Sequence, residues 1–489
     1  MFRRVLLIVL LIGLLLSGVP AAGADDAAIE DLLLLEEMMG RLNQYHLDQP
    51  EPGQLMQGAI NGMLGSMEDP YTEYFSPEEL KEFANSLDND LFGIGVELRP
   101  GDYHPIVVRV IPSSPAKDAG IQAGDTIVAV DDASLKGLNF AEVVQVIRGP
   151  EGSKVKITVD RPGKGQKDFI VVRGHINIPT VDSSLLDDQT GYIYVGSFGS
   201  ETANEFSSAL SDLLAEDIKF LVLDLRNNGG GYLQAAVDMV SQFLSPGSAV
   251  VSIVDKDGNT DSYVTSGWPS VAAVQTAIVV NESSASAAEV MAGAMRDHDR
   301  AVLVGTQTYG KGVMQTVIPL SNKGALKVTT HRYYTPSGTD LDGTGLIPDR
   351  RVLTPELQLV AAAQVLTESN PLLEFALKDN IVRINNQDVE YLGPMPQMKS
   401  ESLFIPLRFS LEALGYEVFF DLNCIRISGF GDTLEVYPDS GKLIFNKDEK
   451  ELKDPIKTVE GVRYISLEAL KLLKLNINTT PDNVSIATR

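Results

Sequence analysis

The sequence predicts a multidomain chain built around an α/β layer structure, and three textures along its 489 residues predict it. From about 185 to 355, strand-like and helix-like runs alternate, the pattern of a largely parallel sheet covered by helices. From about 90 to 175 there are short β-like runs broken by Gly, Pro and Asp turns. Beyond residue 377 the chain repeats itself at an offset of about 60 residues, the mark of a domain made of two similar halves. Length alone suggests about three domains.

In chain order, residues 1–4 are short and basic, residues 5–19 are an almost unbroken apolar run, and Ala22-Gly23-Ala24 fits a small-x-small cleavage site. Residues 1–24 therefore read as a secretory signal peptide cut before Asp25, with an uncleaved anchor as the alternative. Both place the remainder outside the cytoplasm, secreted or membrane-tethered. Residues 26–80 read as helical, from the spacing of apolar positions in AIEDLLLLEEMMGRL and GQLMQGAINGMLGSM, with Asp69-Pro70 ending the second helix. In the β-rich segment, 90–175, helical pieces are expected near Ser114 to Ala119 and Asn139 to Ile147. The central layer spans 181–355, with strands GYIYVGSF, FLVLDLR, AIVVNE and AVLVG. A helical stretch, ELQLVAAAQVLTE, leads to the repeat domain, 377–489. There VRINNQDVEY echoes LIFNKDEKEL, LFIPLRFSLEAL echoes RYISLEALKLL, and IRIS echoes VSIA. Each half reads strand, turn, strand, short helix, strand, giving a compact α+β domain.

Composition excludes several functions. A net charge of −26 argues against a nucleic-acid partner, since phosphate binding needs clustered Lys and Arg. The single cysteine, Cys424 in VFFDLNCIRI, rules out an internal disulfide or a Cys-based zinc site and reads as a buried small residue. His46, His104, His175, His298 and His331 share no ligand spacing, so no metal is expected.

Three constellations carry chemistry. NESSASAAE, 281–289, follows a strand and opens a helix, where free N–H groups and the positive dipole end could hold an oxyanion. By itself the run reads as a helix cap and no more. TYGKGVMQT, 308–316, sets Lys311 between two glycines and between two apolar runs. A lysine serves as a general base only where desolvation favours its neutral form, and alone this one reads as a solvated turn residue. DLRNNGGG, 224–231, ends a strand with glycines that expose backbone N–H groups, or forms an ordinary strand-to-helix turn. Neither a P-loop nor a GxSxG elbow is present.

Together and in this order, the three motifs closely resemble the signature of the C-terminal processing peptidases, or tail-specific proteases. RYYTPSG…GLIPD, DPYTEYF and FGIGVEL match the same family, and the likeness runs unbroken over roughly 30–355. The resemblance implies a core like the ClpP/crotonase α/β fold, working without metal or cofactor. It implies Ser286 as nucleophile, Lys311 as general base and Gln315 as the residue orienting the lysine, with Ser284 as nucleophile if the register is shifted. It further implies oxyanion donors from Ala287 and the glycine run, Gly229 and Gly230, with Glu289, Asp224 and Arg226 in support. The segment 90–175 resembles a PDZ domain, AKDAGIQAGDTIVAVDD being its most recognisable stretch. Such a domain binds a chain terminus by strand addition; Phe92, Gly93, Ile94, Gly95 and Val96 would bind the peptide, with N–H groups around Gly93 to Gly95 cradling the carboxylate. Arg148 would sense substrate or lock the domain to the core, or is a plain surface arginine. Residues 377–489 resemble the copper amine oxidase N-terminal-like stalk module, which has no histidine here and is not expected to bind copper.

The expected partners are peptide or protein substrates with accessible C-termini, with cell-wall or membrane association and a homodimer as further possibilities. Two other functions compete: a secreted PDZ scaffold on a silent protease core, and a crotonase-like acyl-CoA enzyme. Retention of Ser286, Lys311 and Gln315 speaks against the first, and the PDZ segment with the Ser-Lys pair against the second.

Overall fold

The computed structural model describes residues 26–488 apart from 49, 88–89, 102, 268, 272, 368–369 and 400–401. The expected signal peptide or anchor lies outside the described residues. Among them, no helix is long and apolar enough to cross a membrane. The chain divides into two compact units, residues 1–77 with 316–329, and residues 78–315 with 330–489.

In the first unit, helices Asp26–Tyr45 and Pro52–Gly65 form as their apolar spacing requires, the second opening on Pro52, whose missing N–H costs nothing at a helix start. The region is not helical throughout, as the spacing predicted. Asp69 accepts hydrogen bonds from Tyr71 N–H (2.9 Å) and Thr72 Oγ1 (2.5 Å), turning the chain into the strand Glu73–Phe75. That strand pairs antiparallel with residues 325–327. A three-residue strand carries too little periodicity to be seen in sequence.

In the second unit, the PDZ segment folds around its own core. In KVKITVDR, Val155, Ile157 and Val159 are buried while their neighbours face outward, the period of two that a one-sided sheet demands. Both expected helices are present. Pro115–Ala119 is capped by Ser114 Oγ, and Phe140–Ile147 by a reciprocal Asn139–Glu142 capping box. The strands Asp90–Gly93 and Gly174–Asn177 pair with each other and close the two ends of the segment.

The central sheet has six strands, in the order 181–187, 190–195, 220–224, 275–280, 301–305 and 350–351; the first pair is antiparallel and the rest are parallel. Buried on both faces, its inner strands 220–224, 275–280 and 301–305 are nearly continuous apolar runs, while the outer strand 181–187 is polar and mostly exposed. Ile193, Leu221, Leu223, Ile278 and Leu303 pack into one core with helices Thr202–Ala215, Leu233–Val240 and Ala287–Asp297. Val222, Ala277, Val279 and Val304 face the other way, onto helix Pro355–Thr367. This last helix has no polar face, and such a helix must be covered on all sides. The repeat domain covers it: Leu357, Ala361 and Ala362 share one core with Leu373, Phe375, Leu407 and Leu411.

The sequence repeat is structural. The equivalent strands Ser402–Pro406 and Val462–Ser466 pair antiparallel at Ile405↔Ile465, each running into a short helix. The domain is richer in strand than its halves suggested, and its first strand, Leu372–Ala376, precedes residue 377. Cys424 is half-buried rather than buried, because it sits at the turn between strands Glu417–Phe420 and Ile425–Gly429.

Leu357→Ala should leave a cavity where helix, sheet and repeat domain meet and cost about 2–5 kcal/mol. Thermal or urea unfolding of the variant beside the unaltered protein measures it.

Candidate active site

The strand Gln275–Val280 ends in a tight turn from which helix Ala287–Asp297 starts. Ser286 stands at the junction with φ 57° and ψ −120°, a conformation that L-residues rarely adopt. The surrounding bonds hold it there. Ser286 N–H donates to Glu289 Oε2 (3.0 Å), Ser286 C=O accepts from Val290 N–H (2.9 Å), and Ala285 N–H donates to the Asn228 carbonyl (2.9 Å). Gly230 crosses so close that a Cβ there would lie 2.7 Å from Ser286 Cβ. The turn thus presents the Ser286 side chain, half-exposed, beside a glycine. Ser284 is 0% exposed, its hydroxyl donating to the Leu225 carbonyl (2.7 Å) and accepting from Asn281 N–H (3.0 Å), so it is a strut of the turn and not an accessible group.

Glu289, one turn into the helix, is 0% exposed and accepts four hydrogen bonds. Oε1 takes Thr308 Oγ1 (2.5 Å) and Gly310 N–H (2.8 Å); Oε2 takes Lys311 N–H (2.9 Å) and Ser286 N–H (3.0 Å). One carboxylate oxygen therefore holds the backbone of Ser286 and of Lys311 within about 6 Å of each other. The glycines around Lys311 serve close packing. A Cβ on Gly310 would lie 2.8 Å from Gly345 N, and one on Gly312 would overlap the backbone of Asp342. Lys311 is half-buried, and Gln315 lies four residues on in strand Val313–Pro319, also half-buried.

The DLRNNGGG run braces the elbow. Asn227 N–H donates to Asn281 Oδ1 and Asn281 Nδ2 donates back to Asn227 Oδ1, both at 2.9 Å. Asn228 Nδ2 donates to the Val195 carbonyl (2.7 Å), and Asn228 Oδ1 accepts Gly230 N–H (2.8 Å). This corrects the expectation that Gly230 offers an oxyanion donor: its N–H is taken by Asn228. Gly229 carries no such bond to Asn228, and Ala287, the first residue of its helix, has no intrahelical partner for its N–H. Asp224 and Arg226 form a buried fork, with Arg226 Nη2 2.6 Å from Asp224 Oδ2 and Nε 2.9 Å from Oδ1; Tyr192 OH donates to Oδ2 (3.0 Å). Sequence reasoning missed Asn228, Asn281 and Thr308. Each stood inside a quoted motif, but the bonds that join Asn228 to Val195, Asn281 to Asn227 and Thr308 to Glu289 span 19 to 54 positions of the chain.

In the PDZ segment, a groove of about 210 Å³ runs between Gly93–Val96 and helix Phe140–Ile147, lined by Ile94, Val96, Phe140, Val144 and Ile147. Arg148, exposed at the helix C-cap, lies at its rim. Gly95 (φ 80°) is required because a Cβ would overlap Ser114. Strand Val96–Arg99 is an edge strand among the described residues, hydrogen-bonded on one side only, to Ile106–Val110. Phe92 pairs with His175 in the closing ribbon; its side chain lies outside the described residues.

A strained serine at a strand-to-helix elbow, coupled through a buried acid to a glycine-flanked lysine, defines a serine-type peptidase. Three family profiles match: Peptidase family S41 over residues 189–352, PDZ domain over 106–161, and Copper amine oxidase N-terminal domain over 379–487. The chain is 35% identical over 334 residues to the "Probable CtpA-like serine protease" of Staphylococcus haemolyticus, covering 68% of this chain and 67% of that one. It is 30% identical over 380 residues to the "Carboxy-terminal processing protease CtpB" of Bacillus subtilis, covering 77% of each. Among solved structures, the photosystem II D1 C-terminal processing protease is similar, with 28% identity, a TM-score of 0.42, and coverage of 69% of this chain and 97% of that one. The chain belongs to peptidase family S41, and it is a protease rather than a silent scaffold.

Burial pushes the Glu289 carboxyl above the ordinary glutamate range, against the pull of its four donors. A carboxyl whose folded value exceeds its unfolded one contributes stability that is full below the unfolded value, near pH ~4.3, and is lost as pH rises through the folded value. The stability of the unaltered protein relative to Glu289→Gln should therefore fall on going from about pH 4 to about pH 8. Paired thermal melts across that range check it; a constant or rising difference contradicts it.

Proposed function

We propose that the chain is an exported endopeptidase that cuts protein substrates near their C-termini, with Ser286 as nucleophile and Lys311 as general base. The observation that carries the reading is the shared Glu289 oxygen, which fixes the lysine turn beside the strained elbow. An unprotonated Lys311 amine takes the Ser286 hydroxyl proton, and Oγ attacks the peptide carbonyl carbon. The oxyanion formed is stabilised by Ala287 N–H at the helix start and by Gly229 N–H; one such donor contributes on the order of 3 kcal/mol. The C–N bond then breaks, the lysine's proton leaves with the amine, and the acyl chain remains on Oγ. Water gives a proton to Lys311 and attacks the ester, Ser286 regains its proton from the lysine as the new carboxylic acid departs, and the acid then ionises to solvent. Gln315 orients the lysine from strand Val313–Pro319, and Asp224 and Arg226 keep the glycine turn in place.

The PDZ groove receives the substrate's terminus. Its free strand edge suits an added strand, its aliphatic lining suits an apolar last side chain, and the turn at Gly93–Gly95 suits the carboxylate. Export is supported by the basic-then-apolar leader in residues 1–24. Exposed Leu32, Leu33 and Met38 on the first helix support pairing with a second copy.

Cleavage of an unfolded protein should vanish in Ser286→Ala and in Lys311→Ala, while Ser284→Ala keeps its turnover and loses about 1–3 kcal/mol of stability. Amidating the C-terminus of a peptide substrate should raise its KM about tenfold or more and change kcat little. Cleavage by folded Ser286→Ala, or indifference to the amide, would refute the respective half of the proposal.

A further inference from the structure

The repeat domain reaches the oxyanion turn through one helix. Glu412, on the domain's helix Leu407–Ala413, is 1% exposed. Its carboxylate accepts Thr354 N–H at Oε2 (2.9 Å) and Leu353 N–H at Oε1 (3.3 Å), immediately before helix Pro355–Thr367 begins. Arg408 Nη1, one turn back, donates to the same Oε1 (3.3 Å) and keeps the acid paired. A carboxylate at this point meets the unsatisfied N–H groups and positive dipole end of the helix. The first turn of that helix in turn holds Arg226: Nη1 donates to Gln358 Oε1 (3.2 Å) and to the Pro355 carbonyl (3.4 Å). Gln358 is itself fixed, its Nε2 donating to the Val352 carbonyl (3.0 Å).

Arg226 is the residue before Asn227, and Asn227, Asn228 and Gly229 form the turn that braces Ser286. A second set of bonds grips the same helix and the edge strand before it. Gln364 Nε2 donates to the Ala413 carbonyl (2.9 Å), Arg350 Nη2 to Gln364 Oε1 (3.2 Å), and Arg351 N–H to Glu417 Oε1 (3.2 Å). Helix Pro355–Thr367 thus has its apolar sides buried between sheet and domain and its polar side chains bonded at both ends of the contact. Its position follows the repeat domain rather than solvent.

We propose that the repeat domain is a working part of the protease, and that Glu412 is a positioning residue that sets the oxyanion turn Asn227–Gly230 through helix Pro355–Thr367 and Arg226. The proposal rests on the assignment of Ser286 and its turn given above. Without Glu412, the segment entering the helix loses its acceptor, Arg226 keeps Asp224 but loses the fixed position of its second contact at Gln358 and Pro355, and the Gly229 donor shifts relative to Ser286. Donors that matter only when negative charge develops affect kcat and leave substrate binding unchanged.

The test uses the full chain and four variants. Glu412→Ala should lower kcat about tenfold with KM within about twofold, since shifts of an ångström in a catalytic array have effects of this order. Affinity for a peptide aldehyde, which adds to Ser286 and places an oxyanion in the site, should fall by the same factor. Ile427→Ala truncates the same domain's core, at a residue 0% exposed, and serves as the control for general loosening; assayed below its Tm it should keep its kcat. If Glu412→Ala does not fold, Glu412→Gln, which keeps the shape and one acceptor oxygen, should still lose kcat several-fold. Unchanged kcat in a folded Glu412 variant, or an equal loss in Ile427→Ala, overturns the relay while a dead Ser286→Ala leaves the site assignment standing. Residual cleavage by Ser286→Ala overturns the site assignment and the relay with it.

Discussion

The candidate active site depends on one buried carboxylate. Glu289 lies on the elbow helix, yet three of its four donors, Thr308, Gly310 and Lys311, come from the lysine turn some twenty positions further along the chain. A buried acid is costly unless its oxygens are satisfied, and here both are, twice over. The cost is offset only if helix, elbow and lysine turn stand in one arrangement. The same bonds that make the acid tolerable therefore fix the distance between the backbones of Ser286 and Lys311, the proposed nucleophile and base. Much of the neighbouring sequence serves this constraint. Gly310 and Gly312 let the 341–345 loop press against the lysine turn, and Thr308 passes its hydroxyl to Glu289 while accepting from Leu346 N–H (2.6 Å).

Strain at Ser286 belongs to the same arrangement. A positive φ at a residue with a Cβ persists only where its surroundings over-determine it. Here Glu289 holds the N–H, Val290 the carbonyl, and Asn228 the preceding residue. The glycine turn supplies Asn228, and its far end is anchored by Arg226 to the helix that the repeat domain covers. Local strain at Ser286 is thus sustained by bonds and packing that extend to the helix covered by the repeat domain.

Much of this was legible in the sequence. The alternation of 181–355 gave the sheet, short β-like runs gave the PDZ strands, and the repeat in 377–489 gave two similar halves, whose pairing at Ile405 and Ile465 the structure adds. The motif residues Ser286, Lys311 and Gln315 were readable by resemblance, and the structure gathers Ser286 and Lys311 on one carboxylate. What escaped were relations between motifs. One relation within a motif escaped as well: Asn228 Oδ1 accepts Gly230 N–H two residues on, a local Asx-type bond, whereas Gly230 was taken for an oxyanion donor. Nothing in ELQLVAAAQVLTE says what covers its second side, although the lack of a polar face says that something must. Ser284 and Ser286 are alike in sequence; burial separates them, and the Ser284 hydroxyl is taken by the Leu225 carbonyl, far away in the chain.

The most direct measurement is the rate at which Ser286 is acylated by a peptide ester in Glu289→Gln, followed by mass spectrometry on protein shown to be folded. If Glu289 couples nucleophile to base, an amide in its place cannot accept all four hydrogen bonds, and acylation should slow about a hundredfold or more while the label stays on Ser286. An acylation rate within about threefold of the unaltered protein would contradict the account, because the pair would then hold its geometry without the carboxylate.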